Sequence, residues 1–559
     1  MFLSILAWVG MLLFSSRRRL FAFLLRLPPP CYHVHVAEGQ AVPMRDGVHL
    51  IADHYQPNTL EPCPTILIRS PYGRRASAGF FGMLLAIIAQ RFAERGYQVV
   101  VQDVRGRFDS GGEFNPYFNE TRDGEDTLAW IKHRPWYNGK IGMWGPSYLG
   151  LVQWAVGTHL DALVPSVTGS RLEMILYPDG AFDLGLALRW LTIFRALDKY
   201  AKRPLVAAAP MLLEVEHAIR PAFAHLPITE ADTVALKQAA PYYRLWLEHP
   251  DPDDAVWQEA RQTLDISHLK APVHLMGGWY DFFLRTLLLD YHTLREAGQN
   301  PYLTIGPWSH FSNLMHLSSS LKPALAWFDA HLKGDSQGLR EKPVRIYVMG
   351  ANQWREMDDW PPPATPTPFY LHHHHQLAPM PPQGIEAPDC YHYDPQQPTP
   401  ALGGAQFSLS AGPKDNRRHE QRPDVLTYTT LPLTYDVEVI GPVRLRLYAH
   451  SSRPYTDFFG RLCDVHPDGR SVNICDGLLR INPQHTMVGE DGVWCLEVDM
   501  WATAHRFKAG HCIRLQVSSG AHPRWCRNLG SESQTDLYCA EQTIYHDAVH
   551  PSALILPIH

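Results

Sequence analysis

Between residues 65 and 147 the chain repeats one alternation: a short apolar run, a segment with helical spacing, then another apolar run. Residues 65–69 and 98–103 read as strands. Residues 80–95 and 123–132 read as helices, the second with Thr121 or Asp123 available as its cap. Runs without polar alternation are strands covered on both faces, and helices between them make neighbouring strands parallel. The fold class that follows is α/β, with a mostly parallel sheet.

The last of these runs leads into Gly145-Pro-Ser147-Tyr-Leu-Gly150. A strand, a sharp turn carrying a serine and then a helix is the pattern of a nucleophile elbow. Gly145 leaves room where strand and helix nearly collide. The general pattern G-x-S-x-G is met only in part, because Leu149 stands at the second glycine position and Gly150 follows one place later. Taken alone the stretch is a weak match.

Ser147 needs a base, and the base needs a carboxylate to orient it. In an α/β-hydrolase these follow in the order Asp or Glu, then His, each on a loop after a strand. Strand character returns at 273–279 and 302–306; Asp281 closes the first of these strands and His310 the second. Serine, aspartate and histidine are thus expected at one edge of one sheet. The Tyr148 amide, one residue past the serine, is the expected first oxyanion donor. In the loop after the first strand, Tyr72 offers a phenolic hydroxyl as a second; a packing tyrosine in a turn is the competing reading.

Around this core the chain divides by rhythm. Residues 42–55 read as a hairpin about Asp46-Gly47. Residues 172–265 carry Leu, Ala, Arg and Trp at helical spacing without apolar strand runs. They are expected to form a helical cap over the C-terminal edge of the sheet, where ligands bind. A last amphipathic helix at 324–333 and a strand at 343–348 complete residues 31–171 and 266–345 as the hydrolase domain. The Pro-rich stretch 360–384 reads as a connection. From 346 to 559, short strands (439–448, 457–464, 493–500, 512–517) separated by Gly, Pro and Asp turns suggest an all-β sandwich or jelly roll.

Composition excludes more than it identifies. A hydrophobic fraction of 45% over 559 residues is globular and calls for several domains. A net charge of -6 without a long basic block points away from nucleic acid. Nine cysteines without a C-x-x-C pair read as free thiols, which leans towards a reducing, cytoplasmic setting. Residues 1–14 are almost wholly apolar and precede Arg17-Arg18-Arg19, the reverse of a secretory signal. Through Ser16 a helix would reach about 24 Å, short of a hydrocarbon core of about 30 Å. Residues 1–30 are therefore a candidate membrane tether, against a helix docked on the protein's own surface or a misassigned start codon. His372-His373-His374-His375 invites a metal, but an extended strand would point them to alternate faces, and no second ligand cluster is spaced for zinc. No metal or cofactor is expected, and the triad itself needs none.

Several motifs in order are more specific than any one of them. Ser70-Pro-Tyr-Gly73, Asp103-Val-Arg-Gly-Arg107, Gly145-Pro-Ser-Tyr-Leu-Gly150, Gly278-Trp-Tyr-Asp281, Gly306-Pro-Trp-Ser-His310 and Asp464-Val-His-Pro-Asp-Gly469 together resemble the CocE/NonD hydrolases. These cocaine esterase-like enzymes are related to the Xaa-Pro dipeptidyl-peptidases. The resemblance runs from about Val42 to the C-terminus, and the family's elbow has the glycine spacing seen here. It implies Ser147 as nucleophile, Asp281 and His310 as triad partners, and the Tyr72 hydroxyl with the Tyr148 amide as oxyanion donors. It also implies a hydrolase, a helical cap and a C-terminal jelly roll.

Relatives that take α-amino acid esters hold the substrate ammonium with carboxylates, some just after the catalytic Asp. Here Phe282-Phe283-Leu284 follows instead. An apolar pocket lined by Phe283 and Trp190 is expected, and a small-molecule carboxylic ester as substrate. Xaa-Pro dipeptidyl-peptidase or other amide cleavage is the alternative, with Asp179 or Asp183 as anchor for a free amino terminus. A non-catalytic, membrane-associated binding protein is the rival of another class. A homodimer is carried as an alternative to a monomer.

Overall fold

The computed structural model describes residues 18–200, 208–315, 317–484 and 488–559. Two β-structures dominate it. The first is a ten-stranded sheet in the order β1-β2-β4-β3-β5-β6-β7-β8-β9-β10. Its strands are β1 (Val34–Pro43), β2 (His49–Pro57), β3 (Thr65–Ser70), β4 (Gln98–Asp103), β5 (Ile141–Pro146), β6 (Ala162–Ser166), β7 (His274–Tyr280), β8 (Tyr302–Ser309), β9 (Val344–Val348) and β10 (Gln353–Met357). Strands β3 to β9 pair in parallel, while β1, β2 and β10 add antiparallel edges. Every residue of β3, β4 and β7 is buried, as strands covered by helices on both faces require.

The hairpin expected at 42–55 is β1–β2, its turn closed by the Met44 amide donating to the Val48 carbonyl while Gly47 takes φ +85°. The helix at Phe80–Ala93 lies where expected. The next helix runs Glu120–Lys132 and starts ahead of both expected caps: Asn119 precedes it, and no side chain caps it. The amphipathic helix expected at 324–333 begins at Leu317.

Among the described residues between β6 and β7 helices dominate, including Leu184–Tyr200 and Ala208–Ala224. The β9–β10 hairpin carries the first sheet to Met357, past the boundary drawn at residue 345.

The second structure is all β, in the order β13-β20-β15-β21-β11-β12-β14-β19-β16-β17 with β18 on β15. Its strands are β11 (Thr365–His372), β12 (Gln376–Ala378), β13 (Asp389–Tyr393), β14 (Leu426–Thr429), β15 (Val437–Ser451), β16 (Thr456–Val465), β17 (Ser471–Ile481), β18 (Trp494–Phe507), β19 (Cys512–Ser518), β20 (Ala540–Tyr545) and β21 (Ala553–Ile558). Along β15 buried and exposed residues alternate from Val443 to His450, one face on the core and one towards water. Along β16 nine of ten residues are buried, because this strand is covered on both sides.

The stretch 360–384 contains β11 and β12 rather than a plain connection. Pro366 and Pro368 are tolerated because β11 pairs β21 on one side, while β12 joins the other side only from Tyr370 onward. The histidine tetrad is the turn between these strands: His374 and His375 take φ +60° and +58°, so only His372 is in a strand.

All nine thiols are free. No helix among the described residues is long and apolar enough to cross a membrane. The expected tether falls mostly on residues 1–17, outside the described residues; residues 18–24 are a short helix held by Arg18 to Glu94 at 2.9 Å.

Candidate active site

Ser147 follows β5 directly, with φ 58° and ψ -126°, a conformation a non-glycine residue holds only when its surroundings fix it. They do so here. The Ser147 amide donates to the Ser166 carbonyl at 2.8 Å, and the Ser147 carbonyl accepts from Gly150 and Leu151 at 2.8 and 3.0 Å. The two glycines answer two separate contacts. A Cβ on Gly145 would lie 2.3 Å from Leu149 Cβ, and one on Gly150 would lie 2.6 Å from Thr168 Cγ2. Position 149 faces the already glycine-lined strand and can be leucine. Position 150 faces the chain after β6 and cannot carry a side chain unless Thr168 gives way.

Asp281 leaves the end of β7 and His310 the end of β8, as expected. His310 Nδ1 donates to Asp281 Oδ2 at 2.9 Å, and Asp281 Oδ1 accepts the Phe283 amide at 2.8 Å. Both side chains are buried. With Nδ1 engaged, Nε2 is the nitrogen left to exchange protons, and His310 shares a cavity wall with Ser147. Aromatic rings enclose the imidazole: Phe282 at 4.7 Å, Phe407 at 5.3 Å and Phe283 at 5.7 Å between centroids.

Tyr72 reaches the same place from the loop after β3. Its hydroxyl accepts from Trp190 Nε1 at 3.2 Å and has Ser147 as its other hydrogen-bonding neighbour. Burial pushes the phenol up to about 12, so it stays a proton donor at neutral pH. Arg107 fixes the loop, donating to the Pro71 carbonyl at 3.1 Å. The Tyr148 amide opens the helix Tyr148–Trp154, where backbone N–H groups lack intrahelical partners. The Tyr148 phenol donates to Glu120 at 2.6 Å, and Glu120 pairs with Arg69 at 2.9 Å.

Two apolar cavities meet at Ser147. The first is walled by Leu84, Leu85, Ile88, Trp144, Ile193 and Phe311, with Tyr72 and His310 at the serine. The second is walled by Tyr117, Leu172, Leu176, Leu186, Trp246 and Phe283. Trp190 and Phe407 border both. The expected pocket residues are thus placed, Trp190 between the cavities and Phe283 in the second. No acidic side chain lines either cavity among the described residues. Asp179 is paired with Arg285 at 2.9 Å, and buried Asp183 accepts the Leu186 amide at 2.8 Å, so both expected anchors are committed elsewhere.

Phe407, Arg107 and Glu120 escape the sequence reading of the site. Phe407 stands in an irregular segment between β13 and β14, with no local pattern to single it out. Arg107 and Glu120 work through Tyr72 and Tyr148; the clustered 103–107 motif was the signal for Arg107.

Comparison with known proteins agrees with this architecture. Residues 46–312 match the model for the X-Pro dipeptidyl-peptidase (S15 family), and 338–555 match the X-Pro dipeptidyl-peptidase C-terminal non-catalytic domain. The chain is 34% identical to a cocaine esterase from Rhodococcus sp. (strain MB1 Bresler), over 94% of this chain and 98% of that one. It is 26% identical to a putative serine esterase of Mycobacterium bovis, over 92% and 94%. Among solved structures, an aminopeptidase from a marine sediment Thaumarchaeota archaeon superposes with a TM-score of 0.80 at 22% identity, covering 95% of this chain and 96% of that one. An α-amino acid ester hydrolase does so with 0.78 at 23%, covering 95% and 97%. These two show the shared fold.

Proposed function

The chain belongs to the cocaine esterase-like (CocE/NonD) hydrolases, related to the X-Pro dipeptidyl-peptidases of the S15 family, and from that footing we propose that it cleaves carboxylic esters of apolar small molecules through an acyl-enzyme on Ser147. The observation that carries this reading is Ser147 at the junction of two apolar cavities, one for each half of an ester.

In this mechanism His310 Nε2 takes the Ser147 proton as Oγ attacks the ester carbonyl. Asp281 holds the imidazole by Nδ1 and stabilises its charged form. The Tyr72 hydroxyl and Tyr148 amide donate to the oxygen that becomes negative. His310 then returns the proton to the departing alcohol, and a water activated by the same nitrogen releases the acid. Catalysis is assigned to the first sheet and its helices, substrate selection to the cap at 172–265, and the closing wall to the C-terminal β domain. That no acidic side chain lines either cavity among the described residues supports esters over peptides with a free amino terminus.

The test is a panel of p-nitrophenyl esters, aryl esters and Xaa-Pro anilides, run beside fluorophosphonate labelling. Ester turnover with labelling lost in Ser147→Ala supports the reading. Turnover of the anilides alone transfers it to dipeptidyl-peptidase action, and well-folded protein that neither labels nor turns over any substrate sinks it.

For the amino terminus we propose contact with a membrane surface by residues 1–30. Phe23 and Leu24 of the short helix are 79% and 60% exposed. Unchanged fractionation after deletion of residues 1–30 would refute this.

A further inference from the structure

Away from the active site, the end of one strand and two adjoining turns of the β domain place metal-ligating side chains together. Asp464 lies on β16, His466 opens the turn after it, and His511 immediately precedes β19. Because Val465 pairs with Cys512, the residues just beyond these strand ends are neighbours. His511 Nδ1 lies 2.7 Å from Asp464 Oδ1, His466 Nε2 lies 3.9 Å from Asp464 Oδ2, and the two imidazoles are 4.5 Å apart.

We propose that Asp464, His466 and His511 form a binding site for a zinc-class divalent cation. One ligand atom from each of the three lies within 4.8 Å of the others. Tetrahedral zinc with bonds of about 2.0–2.1 Å needs ligand atoms roughly 3.3 Å apart. The half-buried His466 closes that difference by side-chain rotation, and the cation replaces the hydrogen bond between His511 and Asp464. Two imidazoles and one carboxylate are a donor set suited to zinc rather than to calcium or magnesium.

The surroundings supply orientation. His505 Nε2 lies 3.0 Å from Asp464 Oδ2, the arrangement in which an outer histidine fixes a ligating carboxylate. The cluster opens on a cavity also bordered by Asn352, Arg506 and Lys508. Arg506 is occupied by Glu438 at 2.6 Å. Lys508 opposes a bare cation and favours an anionic fourth ligand, a hydroxide or a carboxylate. Tyr280 and Pro307, on the strands that deliver Asp281 and His310, form the far wall, and the Tyr280 hydroxyl donates to the Asn473 carbonyl at 3.2 Å. A cation here braces the β16–β17 turn where it meets the catalytic strands, and takes no part in the hydrolysis.

Calorimetric titration of the metal-free full chain with Zn²⁺, and cobalt spectra, test this. The expected result is one site per chain whose affinity falls at least about 100-fold in His466→Ala and in His511→Ala, and about 10- to 100-fold in His505→Phe. Co²⁺ in the wild type is expected to give the visible bands of four-coordinate cobalt, lost in His466→Ala. The double variant His373→Ala/His374→Ala controls for the exposed tetrad and is expected to keep the site. Circular dichroism checks folding, and His466→Gln replaces any alanine variant that fails it. Zinc binding that survives both His466 and His511 substitutions, or disappears only with the tetrad, overturns the proposal, as does a wild type that binds no zinc.

Discussion

Phe407 of the C-terminal β domain stands edge-on to His310, with 5.3 Å between ring centroids and planes at 79°. A side chain nearly a hundred positions from the histidine thus closes the site and keeps its imidazole in apolar surroundings. Removing the ring forfeits an aromatic contact worth about 0.5–1.5 kcal/mol. Phe407→Ala is expected to lower kcat/KM for an apolar ester roughly 2- to 10-fold in the folded protein and, because Phe407 is buried in the main core, to lower the melting temperature through a loss of up to about 3–5 kcal/mol. Steady-state kinetics beside a thermal melt check this, and unchanged kcat/KM would show that Phe407 only packs.

Gly150 tests the elbow. Its added Cβ would meet Thr168 Cγ2 at 2.6 Å and Cβ at 2.8 Å. Overpacking of this kind costs about 1–3 kcal/mol. Gly150→Ala is expected to lose that much in urea unfolding and to label more slowly with a fluorophosphonate. Gly520→Ala, which meets nothing within 4 Å, serves as control. Equal stability of the two variants would disprove the contact argument.

Tyr72 makes a prediction about pH. Burial raises its phenol from 10.0 to about 12, and the neutral form is the donor, so alkaline conditions near pH 10 leave the donor in place. Tyr72→Phe is expected to cost about 100- to 1000-fold in kcat with little change in KM. The ratio of wild-type to variant acylation rates should stay constant up to about pH 10. A ratio that collapses between pH 8 and 10, both approximate bounds, would mean that the phenol ionises there.

Asp290 links pH to stability. Its carboxylate accepts from the Ser170 amide and hydroxyl at 3.0 and 2.6 Å, yet burial raises it from 3.8 to about 7. Between those values the folded state holds more protons than the unfolded one. The contribution is therefore complete below pH 3.8 and declines as pH rises through about 7. Its upper bound is roughly 4 kcal/mol, at 1.36 kcal/mol per unit. Asp290→Asn is expected to flatten the slope of melting temperature between about pH 4 and pH 8. Parallel curves for the two proteins would refute the assignment.

The parallel sheet was legible because β3, β4 and β5 are short runs buried along their length, and Asp281 and His310 were legible because each stands at the end of such a run. The β domain was harder to read. Strand β17 contains Asp476 and Gly477, residues that argue against a strand by composition. Asp476 is matched by Arg461 at 2.9 Å and by Arg524, and Gly477 is needed because a Cβ there would lie 1.9 Å from the Asp499 carbonyl oxygen of β18. Both reasons are contacts with distant chain. Phe407 was invisible for the same cause, since its role depends on which loop the β domain lays over the site.

Trp190 has a further consequence. Its indole borders both chambers, as Phe407 does, and also donates to the Tyr72 hydroxyl. Under the proposed mechanism, trimming it would widen room for the acid and the alcohol together and disturb the Tyr72 hydroxyl in the same step. Changes at Ile88 or Leu84 touch one chamber, and changes at Leu176 or Leu186 touch the other. A lineage adapting to a new ester can therefore move in small, separable steps along the outer walls, whereas Trp190 is a position where taste for both halves of the substrate and speed must change at once.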